Sequence, residues 1–407
     1  MIADRLDERS HPKQDKVAPA GQLPSLTSLR GLAALWVVLY HFSVQCFPNL
    51  DATPYTHIIH KGYLAVDLFF MLSGFVMTHV YHRAFSESVT RHYRGFLVAR
   101  IARIYPLHVL ILLLFVATAV ASQWTTGTMT IGSIRDIPLQ GSESVSAFVA
   151  NLFMLQGLDA GKLSWNYPAW SISVEFMAYL LFPFTLPAIW ALSDRGKLAV
   201  AAFLFALLIF FAFLTKGNFN QWDGPITLLR CLPEFILGTL LYCAFRRAPK
   251  NSLLSRNFVA YGLVAIIVIC LHVDAPDLLV TFLFAALVLT VVLNRGSFSE
   301  IANARPLIWL GEISYSLYLI HGFIQFLATK LLDNAGIQNH ADLSIHQSLG
   351  LMLLMVAVCL VSAHFTYFGV EIGCREYLRG IFGIRRQMQP VPVVVPSSRA
   401  IAARQRV

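Results

Sequence analysis

The sequence predicts an all-α, polytopic integral membrane protein of about ten transmembrane helices with both termini in the cytoplasm. Three observations carry this prediction. First, 57% of the 407 residues are hydrophobic and only 13% are charged, whereas a soluble domain carries about a quarter. Second, ten apolar stretches are long enough to cross a ~30 Å hydrocarbon core. They lie near 26–46, 63–82, 96–122, 168–192, 197–215, 226–245, 257–273, 277–294, 306–330 and 347–371. Third, the connections are asymmetric in charge. With the N-terminus in the cytoplasm, 25 of the 31 Lys and Arg fall on the cytoplasmic side and five on the outer side, and Arg230 lies inside a helix. Positive charge retained inside then requires an even number of spans. The net charge of +9 is therefore first a topology signal, and nothing in its distribution favours nucleic acid.

Taken in order, residues 1–24 form a polar, flexible cytoplasmic tail without a cleavable signal, so the first helix is expected to remain as an anchor. The transmembrane domain covers 25–372. Its one long connection, 123–167 on the outer side, is rich in Ser, Gly and Thr, with Trp124 and Trp165 near its ends. It is either a spacer or an acceptor-contacting loop. Residues 373–407 read as a basic cytoplasmic tail, Pro- and Val-rich from Arg385. Pro106 and Pro233 fall inside spans, and the fourth span reads as broken by Pro183 and Pro187. The six cysteines are scattered, without a CxxC pair, and read as small buried hydrophobes.

The first span, LTSLRGLAALWVVLYHF, carries two residues that a membrane helix avoids, Arg30 and His41. Eleven residues place them on one face, roughly 16 Å apart along the axis. Ionisable groups at such depth face a protein interior or a wet cavity. The alternative is an interfacial anchor plus a satisfied core histidine. A neutral imidazole there can serve as general base toward a hydroxyl. Asp67, near the outer end of the second span, is its candidate partner, or else a helix cap. Glu175 lies near mid-membrane in the fourth span, needs a partner, and is the alternative to Asp67 as the catalytic carboxylate that orients His41. Ser171 is one turn before it, and Trp170 is placed to stack on a ring.

Arg100 and Arg103 share a face of the third span and, with Arg30 at similar depth, form a cationic mouth suited to phosphate. The plainer reading is a positive-inside boundary. Arg230 and Glu234 are four apart and either satisfy one another or, with Trp170 and Ser171, line an acceptor cavity. Ser314, Tyr318 and His321 form a polar stripe that lines a cavity or joins helices by hydrogen bonds. The pairs His57/His60 and His79/His82 lack accompanying carboxylates or thiolates, so no metal is expected. No GxSxG elbow, P-loop or GxGxxG occurs.

These motifs together resemble the membrane-bound acyltransferase-3 family over roughly Ser25 to Glu371. The resemblance rests on Arg30 with His41 eleven residues on, on Arg100-x-x-Arg103, and on the blocks GYLAVDLFFMLSGF, WSISVEF and ISYSLYLIH in that order. It implies a ten-helix core in the bacterial cytoplasmic (inner) membrane and an acyl-CoA donor, commonly acetyl-CoA, with no permanently bound cofactor. It also implies a hydroxyl acceptor on a glycan or lipid-linked sugar. His41 would be catalytic, and Arg30, Arg100 and Arg103 would serve donor binding or catalysis. Some family members carry a fused periplasmic domain, so a periplasmic partner protein is left open. The rival class is a transporter or export permease, since intramembrane charge and broken helices also mark substrate pathways. No inverted repeat is visible to support it.

Overall fold

Long apolar runs with few breakers leave the backbone one solution in lipid, the α-helix, which satisfies its own N–H and C=O groups. The computed structural model describes residues 23–126, 143–158, 164–221, 224–249 and 251–382, with side chains to Ala121 in the first stretch. Most of the predicted N-terminal tail, the side chain of Trp124, the middle of the 123–167 connection and residues 383–407 lie outside the described residues. No strand occurs among the described residues.

Fourteen α-helices follow in order. They are α1 Pro24–His41, α2 Ala65–Glu87, α3 Val89–Thr126, α4 Val145–Leu152, α5 Trp170–Ala191, α6 Asp194–Leu214 and α7 Ile226–Arg247. Then come α8 Asn257–His272, α9 Asp277–Leu293, α10 Ser297–Ala302, α11 Arg305–Glu312, α12 Ser314–Asn334, α13 Ile345–Thr366 and α14 Gly373–Ile381. Among the described residues, seven helical stretches are long and apolar enough to cross a membrane, and the bent pair α11–α12, taken as one span, makes an eighth. The shorter apolar helices α8 and α9 have 16 and 17 residues. These ten bodies stand at the positions of the ten predicted spans. Side-chain oxygens start several of them. Ser193 caps α6, Ser144 caps α4, and Ser344 with Gln347 forms a capping box on α13.

The structure corrects the expected place of the broken span. Pro183 and Pro187 do not break the fourth span, because α5 runs unbroken through both. The break falls instead in the 306–330 span, which bends by 63° between α11 and α12. There Gly311 is pressed against α1, where a Cβ would collide with the Thr27 carbonyl, and the Ser314 hydroxyl donates to the Gly311 carbonyl at 2.7 Å. Beyond the last span the first residues of the basic tail are helical. A π-helical turn, Tyr367–Ile372, carries the chain into α14, which packs on α3.

Helices α2 and α7 make the most intimate pair. A Cβ at Gly74 would collide with the Phe235 carbonyl, and one at Gly238 with the Met71 carbonyl. Small residues at these points let the backbones approach, the main source of helix affinity where lipid removes the hydrophobic drive. At the end of the bundle toward which α1 runs, buried Lys61 ties the connections together. Its Nζ meets Asp277 at 2.9 Å and Asp274 at 3.0 Å, while Asp277 also accepts from the Tyr63 hydroxyl and the Phe219 N–H, both at 2.9 Å.

The tight α2–α7 contact predicts that Gly74→Ala or Gly238→Ala destabilises the protein by about 1–3 kcal/mol through overpacking. Gly262→Ala, at a position with open space around it, should be nearly neutral. Thermal unfolding of the detergent-solubilised protein checks the contrast.

Candidate active site

Helix α1 is built to carry polar groups inward on a small-residue face. Ser28, Gly31, Ala34 and Val38 are buried, and a Cβ at Gly31 would collide with the Gly311 backbone. That closeness sets Arg30 near one end of α1 and His41 at the other. Immediately after His41 the helix widens into a π-turn, Phe42–Cys46. A π-turn inserts an extra residue and re-aims side chains, a device that recurs at functional sites.

His41 sits among rings. Its imidazole stacks on that of His321, with centroids 5.2 Å apart and planes at 28°. Tyr40 and Tyr167 each approach it at 4.8 Å. His321 is fully buried and lies 5.7 Å from the Tyr318 ring. Nδ1 of His41 and both ring nitrogens of His321 are buried without a hydrogen-bond partner. Tyr167 donates to Gln325 at 2.6 Å, and Gln325 donates to Gln45 at 2.9 Å, so an amide chain borders the pair. Tyr318 and Ser171 share a hydrogen bond of 2.7 Å. The predicted stripe on α12 is thus split. Tyr318 and His321 enter this site, while Ser314 serves the α11–α12 bend.

Asp67 does not reach His41. Its carboxylate takes a bidentate grip from Arg230, Nε to Oδ1 at 2.8 Å and Nη2 to Oδ2 at 2.6 Å. Both residues are essentially without solvent exposure. Asp67 caps nothing, although it lies in the first turn of α2. Arg230 also donates to the carbonyls of Tyr63 and Gln221, both at 3.2 Å, and lies 5.6 Å over the Trp170 ring. Trp170 therefore carries a guanidinium. The predicted Arg230–Glu234 pair gives way to this cross-helix pair, because only a carboxylate facing the planar fork offers two parallel hydrogen bonds. Glu234, fully buried, adds a second carboxyl beside Asp67.

Glu175 likewise stays away from His41. It accepts from Ser73 and from the Tyr179 hydroxyl, the latter at 2.6 Å. It belongs with the arginines, since Arg30 feels the charges of Glu175, Glu371 and Arg103. Arg100, more than nine-tenths buried, gives one hydrogen bond to the Tyr81 hydroxyl at 3.3 Å and lies 5.6 Å over that ring. Its Nε has no partner. Arg103 faces Glu371 at 3.8 Å, and Glu371 accepts from Ser316. The three predicted arginines therefore form one cluster.

Glu371 escaped the sequence reading. It is a lone carboxylate in the apolar run TYFGVEIG, the signal that singled out Asp67 and Glu175, but it sat at the edge of the last span. Tyr179, one turn beyond Glu175, and Tyr167 carried no sequence signal above ordinary aromatic content. A polar cleft of about 710 Å³ opens at the His41 end, lined by His57, His60, Tyr63, Lys216, Asn218 and Asn220 among others. Asn220 donates to the Tyr40 hydroxyl at 2.9 Å, which links the cleft wall to the ring beside His41. Of the long connection, α4 and the turns after it pack onto the bundle. The Asn151 and Leu152 carbonyls meet His108 and Tyr105, the Met154 carbonyl meets Ser173, and Trp165 is buried.

This architecture is a multi-pass helical bundle with a polar core, and comparison with known proteins gives it a class. The family model described as an acyltransferase domain, the acyltransferase-3 model, matches residues 23–364. The chain belongs to that family and is an acyltransferase of the membrane. It is 29% identical over 400 residues to "Acyltransferase MdmB" of Streptomyces mycarofaciens, covering 91% of this chain and 95% of that one. It is 24% identical over 390 residues to "Putative peptidoglycan O-acetyltransferase YrhL" of Bacillus subtilis, covering 88% of this chain and 57% of that one. A "Putative O-acetyltransferase" of Staphylococcus aureus is 23% identical over 335 residues, covering 76% of this chain and 52% of that one. This chain therefore spans about half the length of the latter two. No solved structure matches it.

Removing one member of the Asp67–Arg230 pair strands a buried charge, which typically costs about 3–5 kcal/mol. Arg230→Met alone should lower thermal stability sharply, and adding Asp67→Leu should restore most of the loss. A double-mutant cycle on the purified protein measures the coupling.

Proposed function

We propose that this acyltransferase moves an acyl group, acetyl in the first instance, from cytoplasmic acyl-CoA to a hydroxyl of a glycan or lipid-linked sugar at the outer side of the cytoplasmic membrane. The observation that carries the reading is the polarity of α1. One rigid helix holds Arg30 within the arginine cluster and, eleven residues on, His41 in its ring-walled site. Guanidiniums suit the phosphates of coenzyme A, and its long pantetheine arm suits a thioester delivered deep into the bundle. The polar cleft at the opposite end suits the arrival of a hydroxylated acceptor. Names of relatives that carry O-acetyltransferase support the acetyl group and the oxygen acceptor.

In this reading His41 removes the acceptor hydroxyl proton as the oxygen attacks the thioester carbonyl. A C–O bond forms, the C–S bond breaks, and the thiol leaves with the proton relayed from His41. General-base help of this kind is worth ~10²–10⁴-fold. An acyl-His41 relay is the covalent variant. Asp67 and Glu175 act at a distance. The first holds the α2–α7 frame, and the second balances charge in the donor cluster. His321, stacked on His41, and Tyr167, edge-on to it, fix the imidazole plane.

Paired strains carrying the wild type or His41→Ala at equal membrane abundance provide the test. Proton NMR of cell-surface and secreted glycans should show one O-acyl resonance lost with the variant, which also identifies acyl group and acceptor. Purified protein should release thiol from acetyl-CoA in the presence of that acceptor, at a rate lowered by about 10²-fold or more in the variant. Unchanged thiol release would remove His41 from the mechanism.

A further inference from the structure

Arg375 and Arg379 were counted in the sequence as tail charges that mark the cytoplasmic side. The structure places them on α14, which follows the π-turn carrying Glu371 and packs on α3. Four residues apart, they share a helix face. Both are half-buried. Arg375 lies within electrostatic reach of Arg103, Glu371 and Arg379, and Arg379 within reach of Arg100, Arg103 and the Tyr81 hydroxyl. The Nε of Arg379 is buried without a hydrogen-bond partner, as is that of Arg100.

Five guanidiniums, of Arg30, Arg100, Arg103, Arg375 and Arg379, thus converge from α1, α3 and α14. The carboxylates around them are Glu175, Glu371 and, exposed at the edge, Glu376 on α14 and Glu312, which meets Arg103, Arg375 and Glu371 around Tyr367. Among the described residues, five positive charges stand against four negative ones, two of which are exposed, so positive charge remains in excess. Like charges gathered into a partly desolvated space repel. Donors left unpaired there cost further free energy. Folding alone gives no reason to bring α14 to this spot with its two arginines turned toward two others. A ligand with several anionic oxygens supplies the reason.

We propose that Arg375 and Arg379 complete a polyphosphate-binding site with Arg100 and Arg103, so that α14 is the outer wall of the donor pocket. This inference rests on the acyl-CoA reading above and extends it to a segment outside the predicted motifs. Coenzyme A presents two kinds of anionic group, a bridging diphosphate and a terminal 3′-phosphate. The α14 arginines are half-exposed whereas Arg100 is buried, so in this proposal they meet the terminal phosphate, while Arg100 and Arg103 meet the diphosphate.

The test is binding of free coenzyme A and of 3′-dephospho-coenzyme A to the purified full-length protein in detergent, by isothermal titration calorimetry. Wild type is expected to prefer coenzyme A. Arg375→Gln/Arg379→Gln should weaken coenzyme A by about tenfold or more and leave the dephospho ligand nearly unchanged, so that the preference collapses. The Arg375→Lys/Arg379→Lys variant keeps the charge and should recover part of the affinity. The single Arg379→Gln variant should show a smaller loss in the same direction and a shallower dependence of affinity on salt. Equal loss for both ligands would move the α14 arginines to the diphosphate and overturn the assignment to the terminal phosphate. Equal affinity in wild type and variants, with both ligands bound, would overturn the role of α14 and leave the donor reading intact. Absence of coenzyme A binding to wild type would overturn the donor reading itself.

Discussion

The bidentate pair between Asp67 and Arg230 is the constraint on which this bundle depends. Both charges are withdrawn from solvent, where an isolated charge is costly and a single partner rarely suffices. Here the guanidinium gives its other donors to the carbonyls of Tyr63 and Gln221 and rests on Trp170. One side chain of α7 therefore fixes α2, the start of α5 and two connections. The grip needs backbones close enough for 2.6–2.8 Å contacts. Gly74 and Gly238 allow that approach, each standing where a Cβ would strike the opposing helix. Charge supplies direction and the glycines supply distance.

Against this frame α1 works as a strut with two chemically different ends. It is wedged between α2 and α11, and the Gly31–Gly311 contact fixes its depth. An α-helix cannot shorten, so the separation of Arg30 from His41, roughly 16 Å, is set by helical rise alone. A substrate that engages both ends must be long. Both ends of the polar core also lie beside π-turns, one just after His41 and one that contains Glu371. Each turn lets an otherwise regular span redirect a side chain without ending the helix.

The histidine site differs from the carboxylate–histidine arrangement that its sequence neighbours suggest. Among the described residues, no carboxylate bonds to His41. Its companions are a second imidazole and tyrosine rings. The carboxylates of the core are engaged elsewhere, Asp67 by Arg230, Glu175 by Ser73 and Tyr179, and Glu371 by Ser316 and Arg103. The core is thus divided into a frame pair, an arginine–carboxylate cluster and an aromatic histidine chamber.

The sequence by itself determined the class of the protein, the place of its ten apolar helices, and which ionisable residues had to turn inward. These follow from local physics. Hydrocarbon thickness sets segment length, helical period sets which residues share a face, and the cost of burying charge marks Arg30, His41, Asp67, Glu175 and Arg230 as special. The tertiary structure alone decided who pairs with whom. Asp67 was free in sequence to meet His41, and Arg230 to meet Glu234, but interhelical distance and the planarity of the guanidinium joined Asp67 to Arg230. The prolines of α5 looked like a break and were absorbed. The bend came at Ile313, where contact with α1 and the Ser314 hydroxyl compete with the helical bonds. The arginines of α14 read as cytoplasmic-side charges and Glu371 carried no reading at all, until packing of α14 on α3 brought them to Arg103. Periodicity along one chain orders the faces of each helix, and only close packing between helices selects which faces meet.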